Sequence, residues 1–133
     1  MIIKVQPDKQ KAKSLKDIAI ITSERLKETD KEKYPSNTLT DYYDIIRKLM
    51  EALNSLEGIK IKGEGAHQQI IDYICDKYEF NASTRLFIQE MRDYRNRISY
   101  EGFSIKANYI EANAKRIEEI IIKLRKLVNE KLK

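Results

Sequence analysis

The sequence predicts an all-α fold, an up-and-down bundle of about five helices built on a four-helix core. Three observations carry this. Apolar residues recur at i, i+3, i+4 and i+7 over five stretches, the spacing of a one-sided helix. Only two prolines and four glycines fall in 133 residues, so long helices run uninterrupted. The polar connections between the stretches are short, which makes successive helices antiparallel neighbours. The chain reads as a single domain, residues 1–133, long enough for a real core. Apolar residues at 41% and charged residues at 35% suit a soluble bundle rather than a disordered tail.

Met1 to Gln6 reads as a short strand or as a loose arm over residues 1–7. Asp8 is placed to cap a first helix whose stripe is Leu15, Ile18, Ala19, Thr22 and Leu26, fading near Thr29. Asp30 to Asn37 is a polar connection broken by Pro35. A second helix starts near Thr38 or Thr40 and is apolar around much of its girth (Leu39, Tyr42, Tyr43, Ile45, Ile46, Leu49, Met50, Leu53, Leu56), so it belongs at the centre. Gly58 ends it as a left-handed cap. Ile59 to Gly65 alternates like a strand, but it is short and glycine-bounded, and it reads as a loop. A third helix covers Ala66 to Tyr78, with Ile70, Ile71, Ile74 and Tyr78 inward. Asn81 or Ser83 caps a fourth that stops before Gly102. A fifth opens at Ser104 or Ile105, with Ile110, Ala114, Ile117, Ile121, Leu124 and Val128 as its stripe.

No apolar run approaches the roughly 20 residues needed to span a membrane. The start, Met1-Ile2-Ile3-Lys4, has no apolar region of signal-peptide length, so a cytoplasmic location is expected. Cys75 is the only cysteine and falls among Ile71, Ile74 and Tyr78, which reads as a buried, inert thiol. With one cysteine and one histidine there is no zinc spacing, so neither a metal nor a cofactor is expected. Gly63-Glu64-Gly65 is too short for a phosphate-binding loop of the P-loop type. The net charge of +5 is spread along the chain, a weak nucleic-acid signal by itself.

The fourth helix carries the chemistry. Arg92-Asp93-Tyr94-Arg95-Asn96-Arg97 packs three arginines and an asparagine into six residues. Helical geometry puts Arg92, Arg95, Asn96 and Ser99 on one face, and Phe87, Met91, Tyr94 and Ile98 on another. Guanidinium groups are planar and bind phosphate or carboxylate in a bidentate way, so the polar face suits oxyanions. The competing reading is structural. Arginines near a helix C-terminus are favoured by the helix dipole and pair with Glu90, Asp93 or Glu101. His67, the only histidine, reads as a capping or surface residue at the start of the third helix. Tyr42, Tyr43, Tyr73 and Tyr94 read as core residues with hydroxyls reaching polar partners, while Tyr100 and Tyr109 flank the loop after the arginine helix.

Arg95-Asn96-x-Ile98-x-Tyr100 at the end of a helix, followed by Gly102, resembles the signature of the HEPN superfamily. The central segment from Tyr42-Tyr43-Asp44-Ile45-Ile46 to Leu56-Glu57-Gly58-Ile59 resembles it too, and the helix order matches over roughly residues 10 to 130. The resemblance implies a small all-helical domain, a homodimer through the fourth helix, and a cleft for RNA. Active members carry a histidine four to six residues after the arginine. This chain has Tyr100 there, and an ordinary phenol with a pKa of about 10 is a poor base at neutral pH. The resemblance therefore implies an RNA- or nucleotide-binding domain, held by Arg92, Arg95, Asn96, Arg97, Ser99 and Tyr100, whose ribonuclease is lost or weakened. By the same analogy it implies a toxin–antitoxin-like pairing with a nucleotidyltransferase partner. Two alternatives stand beside it. One is an active metal-independent endoribonuclease using Arg95 and Tyr100. The other is a dimeric scaffold with no nucleic-acid ligand.

Overall fold

The computed structural model describes residues 1–133. It is an all-α bundle of five helices with one two-stranded antiparallel sheet: β1 (Ile2–Lys4), α1 (Lys9–Glu28), α2 (Pro35–Glu57), β2 (Ile59–Ile61), α3 (Ala66–Lys77), α4 (Ala82–Glu101) and α5 (Ala107–Leu132). No helix is long and apolar enough to cross a membrane.

Local signals set most boundaries. The Asp8 carboxylate accepts from the Lys11 N–H at 2.9 Å, and Asn81 Oδ1 accepts from the Thr84 N–H at 2.8 Å, capping α1 and α4 as their sequences predict. The start of α2 differs from expectation. Pro35 does not break the chain there but occupies the first helical turn, where its missing N–H costs nothing, so α2 begins three residues before Thr38. The fifth helix likewise opens slightly later than Ser104 or Ile105, after Lys106.

Helix α2 packs against α1, α3, α4 and α5. That explains why Leu39, Ile45, Ile46, Leu49, Met50 and Leu53, which point in several directions, are all buried. Helix α1 lays Ala12, Ala19 and Leu26 against it, while Ile18, expected inside, stands exposed on the outer face. Cys75 is buried in the shared core, and burial pushes its thiol up to about 11, so it stays protonated and unreactive at neutral pH.

Cross-helix bonds fix the directions. Arg25–Asp41 joins the end of α1 to the start of α2, and the Asp8 N–H donates to the Ser55 carbonyl at the other end, so these helices are antiparallel. Asp72–Arg85 makes α3 and α4 antiparallel. Alternation is interrupted once. Arg47–His67 and Glu57–Tyr78 show α2 and α3 running parallel, because Gly58 to Gly65 carries the chain back up the bundle.

That return segment is where the sheet forms. Ile2 pairs with Ile61, Ile3 with Lys60 and Lys4 with Ile59. Of the two readings of the N-terminal residues the strand is the one that forms, and Ile59 to Ile61, expected as a loop, is its partner. The Val5 N–H then donates to the Gly58 carbonyl at 2.8 Å. One carboxylate gathers the lower end of the bundle. Glu57 Oε1 accepts from the Tyr78 hydroxyl at 2.5 Å and meets Lys77 Nζ at 3.1 Å and Lys131 Nζ at 3.6 Å, joining α2, α3 and α5.

Candidate oxyanion-binding site

Helix α4 turns Phe87, Ile88 and Met91 into the core, and this fixes where its arginines point. Gln89 Nε2 donates to the Gln68 carbonyl at 3.0 Å and to Asp72 Oδ1 at 3.1 Å, tying α4 to α3. Arg92 Nε donates to Gln89 Oε1 at 2.9 Å and is held along that seam. One turn on, Asn96 joins Arg92, His67, Gln68, Gly63 and Gly65 around a depression of 270 Å³. Helix α3 starts there without a side-chain cap, so its first N–H groups add a partial positive charge.

Arg95 turns towards α2. Its Nε lies 3.7 Å from Asp44 Oδ1, close enough for attraction but too long for a hydrogen bond, and both atoms are buried without a hydrogen-bond partner. Two more atoms on this side of α2 share that condition, Arg47 Nε and the Tyr43 hydroxyl. Tyr43 was expected to reach a polar partner, and it does not. Burial pushes its hydroxyl up to about 12, against the opposing pull of Arg47, Arg92 and Arg95. The phenol is therefore a neutral donor at physiological pH.

His67 meets this group through Arg47. Its Nε2 is 3.2 Å from Arg47 Nη1. A guanidinium has donors only, so Nε2 accepts and the ring proton sits on Nδ1. Burial lowers the His67 pKa below its ordinary 6.5, and Arg47, Arg95 and Arg92 push in the same direction, while Glu51 opposes them. The imidazole is neutral at pH 7. The unfolded chain binds the proton more readily than the folded one, so stability falls as pH drops from about 6.5 through the lower folded pKa. Histidine NMR should show a titration midpoint below 6.5, and the acid-side fall in melting temperature should be shallower in His67→Gln.

The remaining predicted residues separate from this group. The Arg97 guanidinium lies over the Phe103 ring, 4.2 Å from its centroid, in an aromatic cluster with Tyr94 and Tyr109. The Tyr109 hydroxyl donates to Glu90 Oε2 at 2.7 Å, a packing role. Ser99 is exposed at the end of α4, and Tyr100 is 79% exposed. Tyr100 does not line the depression that holds Arg92, Asn96 and His67.

The structure thus gathers Arg92 and Asn96 at the depression, turns Arg95 to Asp44 on α2, and leaves Arg97, Ser99 and Tyr100 outside. It adds Arg47, Asp44, Tyr43 and His67, which sequence reasoning did not connect with the arginines. One signal was available. Asp44, Arg47 and Glu51 recur at helical spacing along an otherwise greasy helix, a polar stripe needing partners on a neighbour. Chemically, the depression offers one guanidinium (Arg92), the Asn96 amide and a neutral imidazole to an oxyanion, while Arg47 adjoins it through His67 and Arg95 is turned to Asp44. Comparison with protein-family models, curated proteins and solved structures returns no match.

Proposed function

We propose that this protein is a HEPN-like domain that binds RNA or a nucleotide through phosphate, with its ribonuclease lost or weakened. The observation supporting this is a group of buried polar atoms (the Tyr43 hydroxyl, Asp44 Oδ1, Arg47 Nε and Arg95 Nε) without hydrogen-bond partners, linked through the Arg47–His67 contact to the depression lined by Arg92 and Asn96. Native proteins satisfy nearly all buried polar groups, so such a group of orphans marks a place where something else binds. Asn96 adds donors beside Arg92, and the exposed end of α4, with Ser99 and Tyr100, is open for a second copy of the chain. Homodimerisation through α4 and pairing with a nucleotidyltransferase belong to this reading.

The test is anisotropy of a labelled single-stranded RNA with the protein in EDTA, over a salt series. Binding should weaken with salt, and Arg92→Ala and Arg95→Ala should each lower both the affinity and the salt slope, the slope by about one contact. Unchanged affinity in both variants would refute the site.

A second reading, a metal-independent endoribonuclease, is favoured by one observation. The neutral His67 imidazole contacts Arg47, lines the depression with Arg92, and is a better base at neutral pH than a phenol. In the same assay, cleavage lost in His67→Ala but kept in Tyr100→Phe would select this reading. Wild type that binds without cutting selects the first.

A further inference from the structure

The depression at the α3–α4 seam differs in one respect from four larger ones on the surface. Each of those four holds a carboxylate: Asp8 and Glu51 in one, Glu130, Glu79 and Glu119, and Asp41 in the others. The depression at Arg92 holds none. Glu64, between Gly63 and Gly65 in the chain, is exposed and does not line it. Gln89 holds Arg92 Nε at 2.9 Å and is itself bonded to the Gln68 carbonyl and to Asp72, so the guanidinium is fixed at its base. The other donors are uncommitted. The Arg92 terminal nitrogens enter no ion pair, the Asn96 carboxamide makes no hydrogen bond within the chain, and the His67 ring meets only Arg47, at Nε2. The local field is positive, since Arg47, Arg95 and Arg92 all act against a proton on His67 and only Glu51 opposes them.

We propose that this depression takes a terminal phosphate, the phosphomonoester at an RNA end or on a nucleoside monophosphate, rather than an internal diester. The inference rests on the reading above that the site binds RNA or a nucleotide through phosphate. Donor supply decides between the two esters. With Nε committed to Gln89, Arg92 keeps four N–H groups, the Asn96 carboxamide supplies two and His67 Nδ1 one. An internal diester presents two free oxygens and a single negative charge, and it leaves much of this set unused. A monoester presents three oxygens and a charge of about −1.5 to −2 at neutral pH. Hydrogen bonds between charged partners are the strong ones, so the added oxygen and charge fall where they gain most. A carboxylate, with two oxygens and one charge, is matched no better than the diester. Size agrees. At 270 Å³ the depression is smaller than the roughly 300 Å³ at which pockets begin to enclose whole ligands, so the phosphate enters and the base stays outside. No aromatic ring lines it to stack a base. The site therefore reads the phosphate and not the base attached to it.

The experiment is anisotropy of one internally labelled RNA in three forms, with a 5′-phosphate, with a 3′-phosphate and with hydroxyls at both ends, against the full chain in EDTA at neutral pH. At least one phosphorylated form should bind about 10- to 100-fold tighter than the hydroxyl form, the worth of hydrogen bonds to a charged group. The tighter form identifies the end. AMP and CMP should compete with it equally, and AMP should give saturable amide NMR shifts at His67, Gln68 and Asn96. Asn96→Asp keeps the shape of a half-exposed side chain and sets a carboxylate beside Arg92. It should abolish the preference, bringing the phosphorylated form down to the hydroxyl one. Arg92→Lys keeps the charge but loses the bidentate fork, so it should reduce the preference severalfold, and it guards against an Asn96 variant that does not fold. The proposal is overturned by equal binding of all three forms, by a preference that survives Asn96→Asp, by inorganic phosphate competing as strongly as AMP, or by a clear difference between AMP and CMP. Equal binding that still weakens in Arg92→Ala leaves phosphate-mediated RNA binding at this site intact and removes only the terminal phosphate. Failure of every form and of AMP to bind removes both.

Discussion

Gly58→Ala should lower stability by about 2–4 kcal/mol, combining left-handed strain with a steric clash. Gly58 caps α2 at φ 71°, and a Cβ built there would stand 2.5 Å from the Val5 carbonyl oxygen and 3.1 Å from the Pro7 ring. Neither obstacle moves freely. The Val5 N–H is bonded to the Gly58 carbonyl, and Pro7 leads directly into the Asp8 cap of α1. The variant must therefore shift the β1–β2 pair off the end of α2. Gly63 and Gly65 serve as internal controls. They also have positive φ, but a Cβ at either meets nothing within 4 Å. Alanine there should cost only about 1 kcal/mol, from backbone strain alone. Urea melts of the three variants check the ordering. Equal losses at all three would show that the close approach at Gly58 contributes nothing.

Asp44→Asn should move stability and ligand affinity in opposite directions. Asp44 and Arg95 have side chains 28% and 21% exposed, and Asp44 is the anion facing Arg95. Removing its charge leaves guanidiniums repelling one another with less compensation. A loss of about 1–2 kcal/mol is expected at neutral pH, reduced from the fully buried case because water reaches both groups. The same change makes the site more positive. RNA affinity should rise by about 3- to 10-fold at low salt, and the gain should fade at high salt. Melts and anisotropy on one preparation read both quantities. If affinity falls along with stability, Asp44 holds Arg95 in its binding position rather than screening it.

The helices were legible because their information is local. Asp8, Asn81 and Gly58 mark ends through their own side chains or their absence, and the stripe of α5 from Ile110 to Val128 reads directly from spacing. Residues separated by many others were not legible. Pairing of Ile2 with Ile61 joins two three-residue segments from distant parts of the sequence, and nothing within either marks the other as its partner. Pro35 misled because a helix-breaking residue in the middle of a helix is a favoured one in the first turn. At the site, the face rule correctly grouped Arg92 and Asn96. It also grouped Ser99, which the geometry of the helix end leaves in solvent. The partners Arg47 and His67 arrive from α2 and α3 because Gly58 to Gly65 turns the chain back, making those helices parallel. No spacing within α4 reports that.

A single helix touching every other one makes the bundle indivisible. With α2 as the shared wall, all the other helices contribute to one core cluster through it. Helices α1 and α5 pack chiefly on α2, whereas α3 and α4 also pack on each other. The candidate site inherits this property. Tyr43, Asp44 and Arg47 are borne by the helix on which the whole fold depends, so the site's geometry persists for as long as the domain is folded at all.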